Sequence, residues 1–328
     1  MKELRKAREA FERHLPPRYE TAVLTFTGVD GRDVYNCSAP FRLDGIKHLY
    51  GRVERREVWA DSAVYLFRET EKDCFTPVAD SRLYPLEDPA VCLWEDQLLL
   101  CGTHVEKERG AIAACSAYFF RGTTARAAAP EYFTTGPRGM KDIRLVKLPE
   151  GFGVFTRPGN TVGYTVLRTL EELSPAVLEA AADTGLVEPT GHGGVNQCFL
   201  LEGGCIGLIG HEAYATRPAG VPEGADWYSL RHSYVATAAV YDPAENRVRQ
   251  SRILATVSCF RTAARKVTPA GQPMDDVVFP SGILWRPDGR IDLYAGVGDA
   301  TEQRLTLEDP FAAWGYRPAA WEKDKKQD

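Results

Sequence analysis

Apolar residues in this chain come in short runs broken by turn residues. "TAVLTFTG", "AVYLFRE", "AVCLW", "QLLLCGT", "AIAACSAYFF", "FGVFTRP", "CIGLIGHEAY", "SYVATAAVYD" and "RIDLYAGVGD" all fit this description. Runs of this length, rich in Val, Ile, Leu, Tyr and Phe and bounded by Gly, Pro, Asn and Asp, read as β-strands. Pro85 to Glu106, "PLEDPAVCLWEDQLLLCGTHVE", reads as a hairpin: two apolar strands around the polar turn "EDQ", with Glu87, Asp88 and Pro89 at its mouth. Helical patterning is scarce. Residues 2–14 have helix-forming composition. The stretch Thr169 to Thr184 is the other candidate, with Ser174-Pro175 as N-cap and first-turn pair.

A repeat organises the strands. Its unit is a polar mouth, a strand, a turn with Gly or Asp, and a second strand rich in Tyr, Leu and Gly. The mouths fall at Asn36, Asp88, Asp142, Asn196 and Ser281, separated by 52, 54, 54 and 85 residues. Periods near 50 are typical of propeller blades. The expected fold is therefore all-β: a five-bladed β-propeller with a short N-terminal helix and one helical insertion near 169–184. The last interval is long enough to hold an insertion or long loops. The domain reading is an N-terminal helical extension over 1–20, one propeller domain over 21–316 and a polar C-terminal tail over 317–328. In a propeller, equivalent mouths converge at one end of the central axis, so Glu87 and Asp88 are expected where five similar turns meet.

Composition narrows the function classes. The chain has 328 residues, 44% hydrophobic and 26% charged, with a net charge of −5. A strongly electrostatic partnership with nucleic acid needs a basic face, and this balance argues against one. The first twenty residues hold no apolar run of signal-peptide type, and no stretch is long and apolar enough for a transmembrane helix. A cytoplasmic protein without membrane contact is the expectation. Eight scattered cysteines form no CxxC, so free thiols in a reducing compartment are expected and a zinc site is not. The six histidines show no HxH or HxxxH pair, and no metal is assigned.

Seven segments occur in one order: "GRVE" (Gly51–Glu54), "LEDPAV" (Leu86–Val91), "KDIRLV" (Lys141–Val146), "IGHE" (Ile209–Glu212), "YVATAAVYD" (Tyr234–Asp242), "FPSG" (Phe279–Gly282) and "YAGVGD" (Tyr294–Asp299). Together they resemble the five-bladed propellers of glycoside hydrolase family 130, the mannoside phosphorylases and mannosidases. Three departures stand out: "EDPA" for "EDPR", "KD" for "KN" and "GHE" for "YHG". They make the chain more similar to the domain-of-unknown-function family 1861, which shares the propeller.

The resemblance implies roles for individual residues. Asp88 falls on the family's general acid. Lys141, His211 and Tyr234 fall on positions that help bind phosphate. Arg52 matches the "RVE" arginine, Arg109 more loosely another family arginine, and Asp299 the aspartate of "GAAD" that contacts sugar or nucleophile. Asn36, at the first mouth, and Asp61, in "VWADSAVYLF", are added as lining residues. Arg144 and Arg231 are nearby basic residues without a family match. Asp142 and Glu212 add negative charge beside Lys141 and His211. Facing the pocket, they would disfavour a phosphate dianion and suit a base that activates water. Glu87, next to Asp88 on a strand, is expected to point away from it and support the scaffold. "DWYSLRHSY", Asp226 to Tyr234, is dense in aromatic residues, as sugar sites and β cores both are.

The implied function is an enzyme that cleaves a β-linked mannoside or related glycoside with inversion, Asp88 being the acid. Phosphate or water is the acceptor, inorganic phosphate being a co-substrate and no other cofactor being called for. The partner is a small oligosaccharide or glycoside, and the N-terminal helix is a reasonable element for a homo-oligomer interface. Two rivals belong to other classes. One is a carbohydrate-binding propeller without turnover. The other is a furanosidase using three carboxylates, drawn from Asp61, Asp88, Asp142, Glu212 and Asp299.

Overall fold

A computed structural model describes residues 2–108, 111–188 and 191–319. The architecture is all-β. Three four-stranded antiparallel sheets follow one another along the chain. The first holds Glu87–Trp94, Gln97–Glu108, Ala111–Thr123 and Glu131–Thr135. The second holds Arg144–Lys147, Phe152–Thr156, Gly163–Leu167 and Ala182–Asp183. The third holds His192–Leu200, Ile206–Thr216, Arg231–Asp242 and Arg247–Ala255. A ten-stranded sheet joins the two ends of the chain. Its N-terminal part is built on Ile46–Glu54 and Ala63–Glu71, and its C-terminal part on Val278–Trp285, Arg290–Val297 and Thr301–Glu308. They meet through one parallel pairing, Thr301 with Val34, and the early strand Thr21–Val23 adds itself antiparallel to Thr301–Glu308. The first strand of the chain thus completes the last unit.

The expected hairpin forms, with Glu87–Trp94 paired to Gln97–Glu108. Alternation buries one face of each such pair. Leu98 and Leu100 pack with Tyr50, Val64 and Leu66 on one side, and Leu99 and Cys101 with Phe119 and Ile143 on the other. Each such side chain contributes about 1.5–3 kcal/mol on leaving water. All eight cysteines are free.

The two helical expectations fare differently. The N-terminal helix runs Lys2–Arg13. It lies against its own chain through Arg8, which donates to Tyr214 Oη (2.9 Å) and Asp276 Oδ1 (2.6 Å), and through Phe11, which packs on the core. The 169–184 insertion is helical only in two short pieces, a 3-10 turn at Leu170–Glu172 and an α-helix at Pro175–Glu179. It then returns as the strand Ala182–Asp183, which pairs with Gly163 and Tyr164. The segment has to bring the chain back to the sheet edge, and fully buried Leu178 anchors it there. The long last interval is taken up by two loops, 217–230 and 256–277. Among the described residues no helix is long and apolar enough to cross a membrane.

What positions the site is a shared irregularity. Asn36, Asp88 and Asp142 have left-handed backbones, with φ of +46°, +48° and +58°. Short polar side chains tolerate this region best among non-glycine residues. The register slips by one residue between Glu87 and Ala90, between Val195 and Gln197, and between Pro280 and Gly282. Asp88, Asn196 and Ser281 therefore sit in β-bulges, devices that re-aim a side chain out of strand alternation. Every mouth read from the sequence is one of these irregular positions. Gly296 allows the first of them, because a Cβ there would stand 1.9 Å from Asn36 Oδ1 and 2.7 Å from its backbone nitrogen.

Glu302 ties the first mouth to the last. It is 1% exposed, accepting from Ser281 Oγ at 2.6 Å and from the Cys37 amide at 3.3 Å. Burial pushes its carboxyl from the usual 4.5 up to about 7. Between those values the unfolded chain releases this proton while the folded protein keeps it, so stability falls as pH rises through the window. Glu302→Gln is expected to match the wild type in urea unfolding near pH 4.5 and to exceed it at pH 8 by up to roughly 3 kcal/mol. A difference that does not change with pH would contradict this.

Candidate active site

Three of the mouths, Asn36, Asp88 and Asp142, line a cavity of about 340 Å³. Asn36, Arg52, Asp88 and Asp299 line one part of its wall, and Lys141, Asp142, His211 and Tyr234 line another. Eight of the residues singled out from the sequence are thereby brought together.

The first group is a set of carboxylates gathered on one guanidinium. Arg52 comes from the strand Ile46–Glu54 and is buried. It lies 2.9 Å from Asp88, 3.1 Å from Glu87 and 3.3 Å from Glu54. Asn36 Nδ2 donates to Asp88 Oδ1 at 3.1 Å and to Asp299 Oδ1 at 3.4 Å. Both donors to Asp88 fall on Oδ1, so Oδ2 carries no hydrogen bond from the described residues. Burial raises the Glu87 carboxyl against the pull of Arg52, and Asp88 adds to the rise. Asp299 is raised in the same way, by burial first and by Asp88, with Arg52 opposing. Glu87 and Asp299 therefore hold a proton more readily than solvated carboxyls do.

The second group is cationic and imidazole-rich. Arg157, 5% exposed, pairs with Asp142 and places its other terminal nitrogen 2.7 Å from His192 Nε2. The same Arg157 nitrogen is 3.1 Å from His192 Nδ1, which also lies 3.4 Å from Asn160 Oδ1, and the Tyr234 hydroxyl is 3.3 Å from Nε2. His211 Nδ1 is 2.8 Å from Asn196 Oδ1. Both imidazoles are neutral at pH 7: burial lowers His211 far below its usual value, and burial with Arg157 and Lys141 lowers His192 to about 4. Lys141 behaves oppositely. Burial works against its charge, but Asp142 and Asp88 outweigh it and hold the ammonium above its usual value. Among the described residues it has no hydrogen bond and no ion pair, so it is a charged donor with its protons free.

Three expectations need correction. Asp142 lines the cavity, but burial is overcome by Arg157, Lys141 and Arg144, and its carboxyl is held far below the carboxylate range. It is a counter-ion and too weak a base to activate water. Glu212 follows His211 on the strand Ile206–Thr216, and alternation takes it away from the cavity. Asp61 is exposed and paired with Arg55 at 2.6 Å, outside the cavity. Arg109 lies outside the described residues. Arg144 is buried as a strut between mouths, donating to the Asn196 carbonyl at 3.0 Å, and Arg231 is exposed on Asp275.

The sequence reading missed Arg157, His192 and the cavity role of Glu87. Arg157 closes the strand run "FGVFTRP", and His192 stands in "GHGG", which reads as the start of a blade. Glu87 was sent outward by alternation, which the bulge at Asp88 breaks. The aromatic stretch does reach the site. Trp227, 38% exposed, lines the rim, backed by His232 at 4.0 Å between ring centres and edged by Trp59 at 6.0 Å.

Comparisons with known proteins bear on the family and the fold. A family model described as "Protein of unknown function (DUF1861)" matches residues 9–313. Comparison with curated protein sequences gives no match. Among solved structures, MPT-4, a mannose phosphorylase from Leishmania mexicana in complex with phosphate ion, is 40% identical. It superposes with a TM-score of 0.85 over 95% of this chain and 94% of its own. MPT-1, a GDP-Man-dependent mannosyltransferase from the same organism, is 36% identical, with a TM-score of 0.84 over 94% of this chain and 95% of its own. The β-1,2-mannobiose phosphorylase of Listeria innocua shares the fold at 14% identity, with a TM-score of 0.58 over 90% of this chain and 92% of its own. The match over residues 9–313 makes this chain a member of the DUF1861 family.

Proposed function

We propose that this protein is a phosphorylase that cleaves β-linked manno-oligosaccharides with inversion, using Asp88 as general acid and inorganic phosphate as nucleophile. We read the four sheets as five blades of one propeller domain spanning residues 21–316. The observation that carries the reading is the division of the cavity. Among the described residues, one carboxyl oxygen of Asp88 has no donor and the Lys141 ammonium has no ion pair; the first belongs to one group and the second to the other.

The chemistry follows from that division. The leaving sugar oxygen takes a proton from Asp88, directly or through a sugar hydroxyl, as the C1–O bond breaks. A phosphate oxygen forms the new bond to C1 from the opposite face, and the product is an α-mannosyl phosphate. Phosphate is itself the nucleophile and needs no protein base. It needs charge-assisted donors, which Lys141, Arg157 and the Tyr234 hydroxyl supply. A hydrolase would need a carboxylate base across the sugar from the acid. The acids proposed for that role do not fit it: Asp142 is a counter-ion, Glu212 faces away, and Asp299 shares an Asn36 donor with Asp88. The same crowding of carboxylates on Arg52 disfavours a furanosidase. The phosphate ion bound to the 40% identical mannose phosphorylase supports the reading.

A second reading rests on the 36% identical mannosyltransferase. The same cations would hold the diphosphate of a sugar nucleotide, with Asp88 removing the proton of an acceptor hydroxyl. Turnover with GDP-mannose rather than α-mannose 1-phosphate as donor would favour it.

Three variants test the roles. Asp88→Asn should lower kcat by about 10²–10⁴-fold in both directions of the reaction. Lys141→Met should raise the KM for phosphate by about 10-fold or more and leave the KM for the sugar alone. An unchanged phosphate KM would remove Lys141 from the nucleophile site. Trp227→Ala should raise the KM of longer oligosaccharides by about fivefold, the value of one lost ring contact, with kcat preserved.

A further inference from the structure

Lys266 is a charged side chain with no exposure, and the chemistry above does not use it. It arrives from the loop 256–277, part of the extra length of the last repeat interval. Its backbone is clamped beside Asp299: its amide donates to the Gly298 carbonyl at 2.7 Å, and its carbonyl accepts from Met274 at 3.0 Å. The ammonium pairs with Glu54, which is also wholly buried, and reaches the Val58 carbonyl at 3.0 Å and the Tyr35 hydroxyl at 3.3 Å. Its three protons are all engaged. The Trp59 ring centre lies 4.6 Å away.

Glu54 is the common partner of Lys266 and Arg52. It accepts from Tyr35, from the Asp61 amide at 3.0 Å and from Ser62 Oγ at 3.1 Å, as well as from Lys266. The Arg52 nitrogen 3.3 Å from Glu54 is also the one 3.1 Å from Glu87, and its sister holds Asp88. One guanidinium thus faces three carboxylates. An unneutralised buried carboxylate attracts a neighbouring cation far more strongly than a solvated one does.

We propose that Lys266 is a positioning residue: it neutralises Glu54 so that the Arg52 guanidinium stays on Glu87 and Asp88. This rests on the reading of Asp88 as the acid. Without Lys266, Glu54 keeps Arg52 as its one cation and draws it across a short gap. Asp88 Oδ1 is then left with Asn36 alone. The charged groups facing Asp88 are Arg52, Glu87, Asp299 and Lys141, and of these only Arg52 is moved.

The test is a pair of variants, Lys266→Met and Glu54→Gln/Lys266→Met. The single variant should lose kcat on the order of 10²-fold, the size of effect a misplaced catalytic group produces. Its phosphate KM should stay within about twofold, because the cation group is untouched. The double variant, with no buried charge competing for Arg52, should recover most of kcat. It also serves if the single variant does not fold. A double variant no better than the single one, or a single variant with unchanged kcat, would overturn the proposal. Crystal structures give a readout independent of turnover: Arg52 should swing toward Glu54 in Lys266→Met and return to Asp88 in the double variant. Failure of the acid assignment shows separately, as Asp88→Asn with undiminished turnover.

Discussion

A β-strand sends successive side chains to opposite faces, and the cavity of this protein exists because strand alternation is broken at the mouths. Left-handed backbones at Asn36, Asp88 and Asp142 turn polar side chains toward a common space, and the bulges at Asn196 and Ser281 set partners behind it, on His211 and Glu302. The irregularities cost backbone energy of order 1–3 kcal/mol each. Their surroundings hold them in place. Gly296 leaves room for Asn36, and Glu302 bonds the first and last mouths together from beneath. Lining one cavity with eight polar residues, five of them buried, is tolerable because four bond one another and three more find partners just behind them.

That satisfaction is segregated. Carboxylates collect on Arg52, while Arg157 takes up Asp142 and Lys141 has no ion pair among the described residues. The result is an acidic group and a cationic group lining one space. Two neutral imidazoles keep the second group from becoming an uncontrolled concentration of positive charge. Asp142, the substitution that looked most hostile to phosphate, is itself paired: it offsets Arg157 and is not a lone negative charge in the cavity.

The fold was legible because its signal is repeated. Strand runs and mouths at intervals of 52, 54 and 54 residues state the same unit several times. Asn36, Asp88 and Asp142 were legible because they sit in the repeated mouths, and Arg52, Lys141, His211, Tyr234 and Asp299 because their segments resemble those of a known family. Arg157 and His192 were not, because an arginine closing a strand run before Pro-Gly and a histidine among glycines at a blade entry carry no signal of their own. Glu87 was misplaced by the rule the site violates, and Asp61 and Glu212 were included by sequence proximity alone. Lys266 had no signal at all: a lysine in a loop is ordinarily solvated, and only the folded chain sets it beside Glu54, 212 positions away.

The identity of the nucleophile is what the divided cavity decides most directly. β-Linked mannobiose should be incubated with the protein in buffer with and without inorganic phosphate, and the products followed by ³¹P and ¹H NMR. The division of the cavity predicts α-mannose 1-phosphate and mannose in equal amounts when phosphate is present, and no cleavage without it. Equal rates in both buffers, giving free mannose and no sugar phosphate, would contradict it.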